Sequence, residues 1–342
     1  MVNEGKNDPA FSTKARLVGV LRGEKGKPVS GGKLAGDLGI SRVAVWKGVQ
    51  SLVKAGYPVA VLESGYSLDP ESPSDFLYPW EFGEDEPMFR YFESTGSTMD
   101  RTRECAARGS ASGTVVIAGT QNAGKGRCGS AWVSDQGGLY FTVLERPAQV
   151  FPLTNYRLPL MLYQVAVARV LGSLCGKPAR LRWPNDVYVG GRKIAGLMTE
   201  LAGEGDSIRW LASGIGINVN NPSPVGGSVS CAEILGRQVS RRELLLGIVA
   251  EARRVKKRTG CGGDGGRLLA DEWNSMADRI GADASLMDWG AADGTARTGK
   301  KGRRLAKGTF AGIDSEGKCV VRGEGGQACF GAGTVSLVYH RG

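Results

Sequence analysis

The chain has a single histidine, His340, two residues from its end. A Ser-His-Asp or Cys-His mechanism would need that tail residue as its general base, so chemistry of the triad type is not expected. The seven cysteines are odd in number and show no CxxC spacing, which argues against a zinc site and against a disulfide framework. No apolar run reaches bilayer-spanning length. Residues 1–10 are polar and lack the apolar stretch of a signal peptide. A cytoplasmic protein without a membrane partner is therefore expected. No internal repeat is visible.

Glycine and positive charge are abundant. There are 53 glycines in 342 residues, many in short runs that read as loops. That length suggests two or three domains, and a hydrophobic content of 41% is enough to give each a core. The formal net charge of +10 suits a polyanionic partner such as nucleic acid or nucleotide, and equally a plain basic surface.

Three segments follow one another. In residues 14–68, Leu17, Val20 and Leu21 mark one helical face, and Leu34, Ala35 and Leu38 a second. Gly39-Ile40 makes a turn, and Ser41 is an N-cap for a third helix reaching Ala55. Val45, Val49 and Leu52 face inward there, leaving Arg42, Lys47, Gln50 and Lys54 to water or a ligand. Residues 59–62 and 65–68 read as a small hairpin. This is the helix-turn-helix order whose last helix fits a DNA major groove, or else a packing module with a solvated face. Residues 69–87, punctuated by four prolines, read as a linker. Residues 88–280 show a helix at 98–108 behind Ser97, strands at 114–118, 139–144, 181–183, 187–189, 193–201 and 208–218, and helices near 160–174 and 241–255. Ser240 and Glu243 have the spacing of a capping box. Clustered strands with segregated helices argue for an α+β fold. Residues 283–339 read as a small all-β barrel with a Gly- and Lys-rich insertion at 290–304, and 260–266 as a surface loop.

The chemistry concentrates between residues 97 and 218. Gly190-Gly191 is a two-residue hairpin loop. It pairs Val189 with Arg192 and Tyr188 with Lys193, and so sets Asp186 opposite Ala195 on the Lys193 face. Diagonal neighbours on one face lie about 7–8 Å apart, room for a phosphate or carboxylate between them. Gly124, Gly126 and Gly129 let backbone N–H groups approach an anion, and Lys125 and Arg127 add charge. The loop lacks the Walker pattern. Ser97 and Thr98 open a helix whose free N–H groups suit a polar or anionic ligand group. Each element alone has an ordinary reading: an exposed hairpin, a solvent loop, a helix cap. Together they are equipment for joining a carboxylic acid to a nucleotide as a mixed anhydride.

In this order the segments resemble the bacterial biotin protein ligases that double as biotin operon repressors. The resemblance rests on residues 38–47 and 65–68, on 93–100, on 121–132, on Trp183-Pro184-Asn185-Asp186 with Lys193-Ile194-Ala195-Gly196, and on residues 214–220. It implies a winged helix-turn-helix, a catalytic domain with a mixed β-sheet like that of class II aminoacyl-tRNA synthetases, and a C-terminal SH3-like barrel. It implies that biotin is adenylated with ATP and Mg2+ to biotinyl-5′-AMP. The acyl group then passes to a lysine of a biotin carboxyl carrier protein, such as that of acetyl-CoA carboxylase. It implies operator DNA as a second partner, through Ser41, Arg42, Lys47 and Gln50, and a homodimer when the adenylate is bound. Carried onto this chain, Ser97, Thr98, Met99, Gln121, Lys125, Gly126, Arg127, Lys193, Gly196 and Gly216 would contact biotin. Lys125, Arg127, Trp132, Asn185, Lys193 and Asn218 would contact the nucleotide. Lys193, Arg127 and Asp186 would serve the chemistry, Asp186 also as a magnesium contact, with the two cations converging on one acyl-phosphate centre. Four positions depart from the family pattern: Met99 for Asn, Lys125 for Arg, Cys128 for a basic residue, and Val338 for an Arg found in some members. A biotin-sensing regulator with little ligase activity and a lipoate or octanoate transferase are the alternatives.

Overall fold

The computed structural model describes residues 12–69, 75–147, 151–223, 226–260, 264–288, 302–333 and 335–340. The chain divides into two compact units, residues 1–89 and 90–342.

The first unit holds α1 (Thr13–Gly23), α2 (Gly31–Leu38) and α3 (Arg42–Lys54), then β1 (Val59–Leu62) and β2 (Gly65–Leu68), which pair antiparallel. Each helix has a serine N-cap: Ser12, Ser30 and Ser41 accept from the N–H three residues on. Gly39, with φ 61°, ends α2 in the left-handed conformation that glycine adopts without steric cost. Leu17, Leu21, Leu34, Val45, Val49 and Leu52 close the core. The stretch expected as a linker is folded over its described part. Phe76, Tyr78 and Trp80 pack against this core, and Tyr57, Phe76, Tyr78 and Trp80 stack in a ladder. A 3-10 segment, Pro79–Met88, carries Glu81 into the interior. There its carboxylate receives Arg22 at 2.7 and 3.0 Å and the Tyr57 hydroxyl. An aromatic, acidic sequence between prolines has no periodicity, so nothing local showed that it folds back.

The second unit is built on a seven-stranded sheet in the order β3-β4-β5-β9-β8-β7-β6. Its strands are β3 (Phe89–Thr95), β4 (Val115–Gln121), β5 (Leu139–Glu145), β6 (Ala179–Arg182), β7 (Asp186–Val189), β8 (Arg192–Glu204) and β9 (Ser207–Ile217). From β4 to β6 every pair is antiparallel. Where β3 and β4 end, Asn122 N–H bonds to Thr95 O and Ala123 N–H to Gly96 O, advancing together along both chains. The sheet is mixed and the fold α+β. α4 (Thr98–Ala107), α5 (Leu158–Cys175), α6 (Cys231–Leu235), α7 (Arg241–Thr259) and α8 (Gly265–Met276) accompany it. By length and hydropathy alone, the stretch Leu153–Cys175 around α5 would cross a membrane, contrary to the expectation that no run is long enough. Its Met161, Val165, Ala168 and Leu171 are buried in this unit, so its apolar character reflects core packing.

Three further expectations are corrected. Residues 265–266 begin α8 rather than continuing a loop; residues 261–263 of that loop lie outside the described residues. The apolar stripe of α8, Leu269, Ala270 and Trp273, is buried, and the Trp273 indole donates to Gln164 of α5. The reciprocal capping box forms at Ser230 and Glu233, ahead of α6, while at Ser240 only the serine half forms. The insertion at 290–304 falls largely outside the described residues, but its last two residues already belong to β11. The C-terminal strands, β10 (Asp283–Asp288), β11 (Arg303–Ile313), β12 (Cys319–Gly323), β13 (Gly326–Phe330) and β14 (Val335–Tyr339), form an antiparallel five-stranded sheet in the order β13-β12-β11-β10-β14.

Candidate active site

The β7–β8 hairpin turns through Gly190 and Gly191 with φ 57° and 76°, the paired positive values of a tight two-residue turn. Val189 faces Arg192 and Tyr188 faces Lys193, but Val187 then faces Ala195 and Asp186 faces Gly196. Ile194 is the extra residue of a β-bulge, buried in the core. Asp186 was expected opposite Ala195; the bulge moves the register by one. It is held in place by a neighbouring strand segment, in which Lys193 N–H bonds to Gly227 O and Val229 N–H to Lys193 O. The two charges touch, with no room for a ligand between them as they stand: Lys193 Nζ lies 2.6 Å from Asp186 Oδ1. The pair lacks the alignment of a hydrogen bond, so Oδ1 is buried without one. Upstream, the Trp183-Pro184 peptide is cis.

The glycine-rich stretch is a folded flap. Gln121 bridges Ser134, Lys125 bridges Ala131, and Trp132 N–H bonds to Gly124 O. Gly129 (φ 74°) and Cys128 (φ 52°) form its tip. The flap lays the Trp132 indole on the strand floor. Gly196 and Gly216 are cross-strand partners, and a Cβ at either would sit 2.7 or 2.5 Å from the ring. Those glycines therefore make room for an indole as well as bordering the cavity. The Trp132 Nε1–H is buried without a partner, and Lys193 Nζ lies 5.4 Å from the ring centroid.

The two flap cations do not converge with Lys193. Lys125 Nζ sits 2.7 Å from Asp100 Oδ1 in the first turn of α4. Burial works to raise the Asp100 pKa, but Lys125 and Arg103 outweigh it and hold the carboxyl below its ordinary value. Arg127 turns its guanidinium onto three backbone carbonyls before and within β14, those of Ala332, Gly333 and Val335, at 2.9–3.1 Å. Lys125, Gly126, Arg127 and Lys193 nonetheless line the same cavity of about 370 Å³.

The same cavity is lined by Ser97, Thr98, Met99 and Gln121. Ser97 caps α4 by accepting from Met99 N–H, and Gln121 Oε1 takes the Thr98 N–H at 2.7 Å. The Thr98 and Met99 N–H groups of the helix start are thus already taken by side chains, not open as expected. Gln121 Nε2 donates to Ser134 Oγ, and Thr142 Oγ1 lies 2.8 Å from Thr98 Oγ1, so the polar atoms are prealigned. Met99 packs where a Cβ on Gly214 would meet its sulfur at 2.6 Å. Asn185 lines the cavity with its amide on Leu197 O. Asn218, expected at the nucleotide, is instead buried outside the lining, its Oδ1 accepting from Asn221.

Sequence reasoning missed the far wall. Arg182 stacks its guanidinium on Tyr188 at 3.7 Å while its Nε reaches Asp278 at 2.6 Å. Ser336, Leu337 and Tyr339 of β14 complete the lining. Val338 of the same strand was singled out in the sequence, but nothing there said that β14 returns beside residues about 150 positions earlier.

The fold and this cavity define a helix-turn-helix unit joined to an α+β unit equipped for an anionic ligand. Residues 91–218 match the Biotin/lipoate A/B protein ligase family, and residues 14–67 match a family described as HTH domain. A biotin–[acetyl-CoA-carboxylase] ligase of Paracoccus denitrificans is 30% identical over 232 residues, covering 64% of this chain and 88% of that protein. The bifunctional ligase/repressor BirA of Bacillus subtilis is 35% identical over 205 residues, 56% of this chain. The chain spans only 60% of that relative's length. The biotin protein ligase of Aquifex aeolicus, solved with biotin and ATP, superposes with a TM-score of 0.59 at 27% identity, covering 74% of this chain and 99% of that one. The chain belongs to the biotin protein ligase family.

Proposed function

We propose that this protein adenylates biotin and transfers it to a carrier. The biotin carboxylate attacks the α-phosphorus of ATP, and pyrophosphate leaves. A lysine amine of a biotin carboxyl carrier protein then attacks the acyl carbon, AMP leaves with the bonding pair, and the amine proton is released, with Asp186 as the carboxylate that would take it. One observation carries this reading. A single cavity joins an uncharged hydrogen-bonding set, Thr98 and Gln121, to a centre where Lys193 stands beside Asp186 under a cationic flap. The relatives, named as biotin ligases, favour this reading over the regulator and lipoate alternatives.

Thr98, Gln121 and Ser97 would hold the ureido ring, and Lys193 would stabilise charge on the phosphoryl group. Arg127 would leave the carbonyls of Ala332, Gly333 and Val335, and Lys125 would leave Asp100, for the ligand anion, so that the flap orders over a reactive adenylate and keeps water away. Trp132 and Asn185 would border the nucleotide. The donor set does not fit a resident metal: among the described residues no group of three or more His, Cys, Asp or Glu is assembled, and Asp186 is already ion-paired. Magnesium enters as the counter-ion of the nucleotide phosphates.

The N-terminal unit would bind operator DNA and repress transcription in response to biotin, as a homodimer once the adenylate is bound. We also read residues 281–342 as an SH3-like barrel domain beside the catalytic one, and the protein as cytoplasmic and not membrane-bound. The test is incubation with biotin, ATP and magnesium. Biotin-dependent exchange of labelled pyrophosphate into ATP and a one-biotin mass gain on a carrier domain are expected. Absence of both, or preferential activation of lipoate, would overturn the reading.

A further inference from the structure

Within its unit, α3 turns Val45, Gly48, Val49 and Leu52 inward. The opposite stripe, at i, i+3, i+4 and i+7, is Val43, Trp46, Lys47 and Gln50, all exposed. Val43 keeps 61% of its surface in solvent and Trp46 53%. Scattered exposed apolar residues need no explanation. These two lie one turn apart on the same face as Lys47 and Gln50, beside Arg42. Lysine and arginine outnumber acidic residues about two to one across residues 12–69, so the surroundings suit a polyanion. Ser41 is committed to its cap on Ala44 N–H, and the Arg42 guanidinium lies beside Gly32 of α2. Ser41 is therefore engaged locally, while Arg42 stays beside the helix start as a cation.

The residues at the start of a recognition helix meet base edges. The apolar group that the major groove displays is the C5-methyl of thymine. We propose that Val43 and Trp46 read thymine methyls in the bound DNA and set its base preference, while the neighbouring cations contact phosphate. This rests on the DNA-binding reading of the N-terminal unit. The occupant is duplex DNA carrying thymine; a protein seated on the same patch is the competing outcome.

The experiment uses the full chain with biotin, ATP and magnesium to enrich duplexes from a random pool. The enriched duplex is then resynthesised with deoxyuridine for thymidine, which removes only methyl groups. Affinity should fall about fourfold for each contacted methyl, the equivalent of ~0.8 kcal/mol. Val43→Ser and Trp46→Gln should each lower the ratio between the two duplexes, and the double variant should bind them equally, all with the wild-type salt dependence because phosphate contacts remain. Equal binding of both duplexes by the wild-type protein refutes the inference, as does an unchanged ratio in both variants; a protein partner on the patch would leave that ratio at one. If the wild-type protein enriches no sequence at all, the DNA-binding reading itself fails, and the inference with it.

Discussion

Replacing Gly216 with alanine tests how the floor of the cavity is packed. The new Cβ would lie 2.5 Å from Trp132 Nε1 and 2.6 Å from Cε2. Gly216 sits in β9, hydrogen-bonded into the sheet between β5 and β8, so the backbone cannot yield. The indole is rigid and must lift off. Overpacking of this kind costs about 1–3 kcal/mol. At roughly 2–4 °C per kcal/mol for a unit of this size, Tm should fall by about 2–12 °C. The displaced ring would crowd Lys193, so the KM for biotin in pyrophosphate exchange should rise as well. Trp132→Ala removes the obstacle. The double variant should therefore be more stable than the sum of the two single losses by about 1–2 kcal/mol, an interaction read from unfolding curves of all four proteins. Strict additivity, or a Gly216→Ala protein that melts with the wild type, would mean that the indole is not seated on that glycine.

Lys193→Ala should lower pyrophosphate exchange by about 10²–10³-fold through loss of electrostatic stabilisation; an unchanged rate would remove Lys193 from the chemistry. Glu81→Ala should destabilise the first unit by about 2–4 kcal/mol in denaturant titration, because Arg22 and Tyr57 lose a buried carboxylate partner. A change within error would return residues 75–88 to the status of a linker. The Asp100 pKa is depressed, so its stabilisation is complete above the unfolded value of about 4 and fades as pH falls through the lower folded value. With Lys125 and Asp100 both more than a third exposed, the effect is no more than about 0.5 kcal/mol. Asp100→Asn should therefore melt slightly below the wild type at neutral pH and with it in acid, and a gap that persists in acid would assign the loss to packing.

Much of what depends on near neighbours was legible along the chain. Ser41 as a cap, the strand limits 59–62 and 65–68, and the Gly190-Gly191 turn follow from local backbone chemistry, and each stands in the structure as read. The 139–144 and 208–218 strands were found because short apolar runs rich in β-branched and aromatic residues read as buried strands. α8 was missed because its glycine-rich approach reads as a loop, while its stripe gains meaning only against α5. The bulge at Ile194 was not legible, because the skipped residue is chosen by residues 227–229 pairing with Lys193. The two-residue turn set Lys193 and Asp186 on one face, and their contact is seen only in the folded hairpin. The resting places of Lys125 and Arg127 were equally invisible: a cation takes the oxygens that the fold brings closest, and for Arg127 those lie some 200 residues along the chain. Sequence alone determined which charged, hydroxyl and glycine side chains the site could draw on and which local turns would carry them. Only the tertiary structure decided which of them touch, because a hydrogen bond or ion pair acts over about 3 Å and chain separation says nothing of that distance.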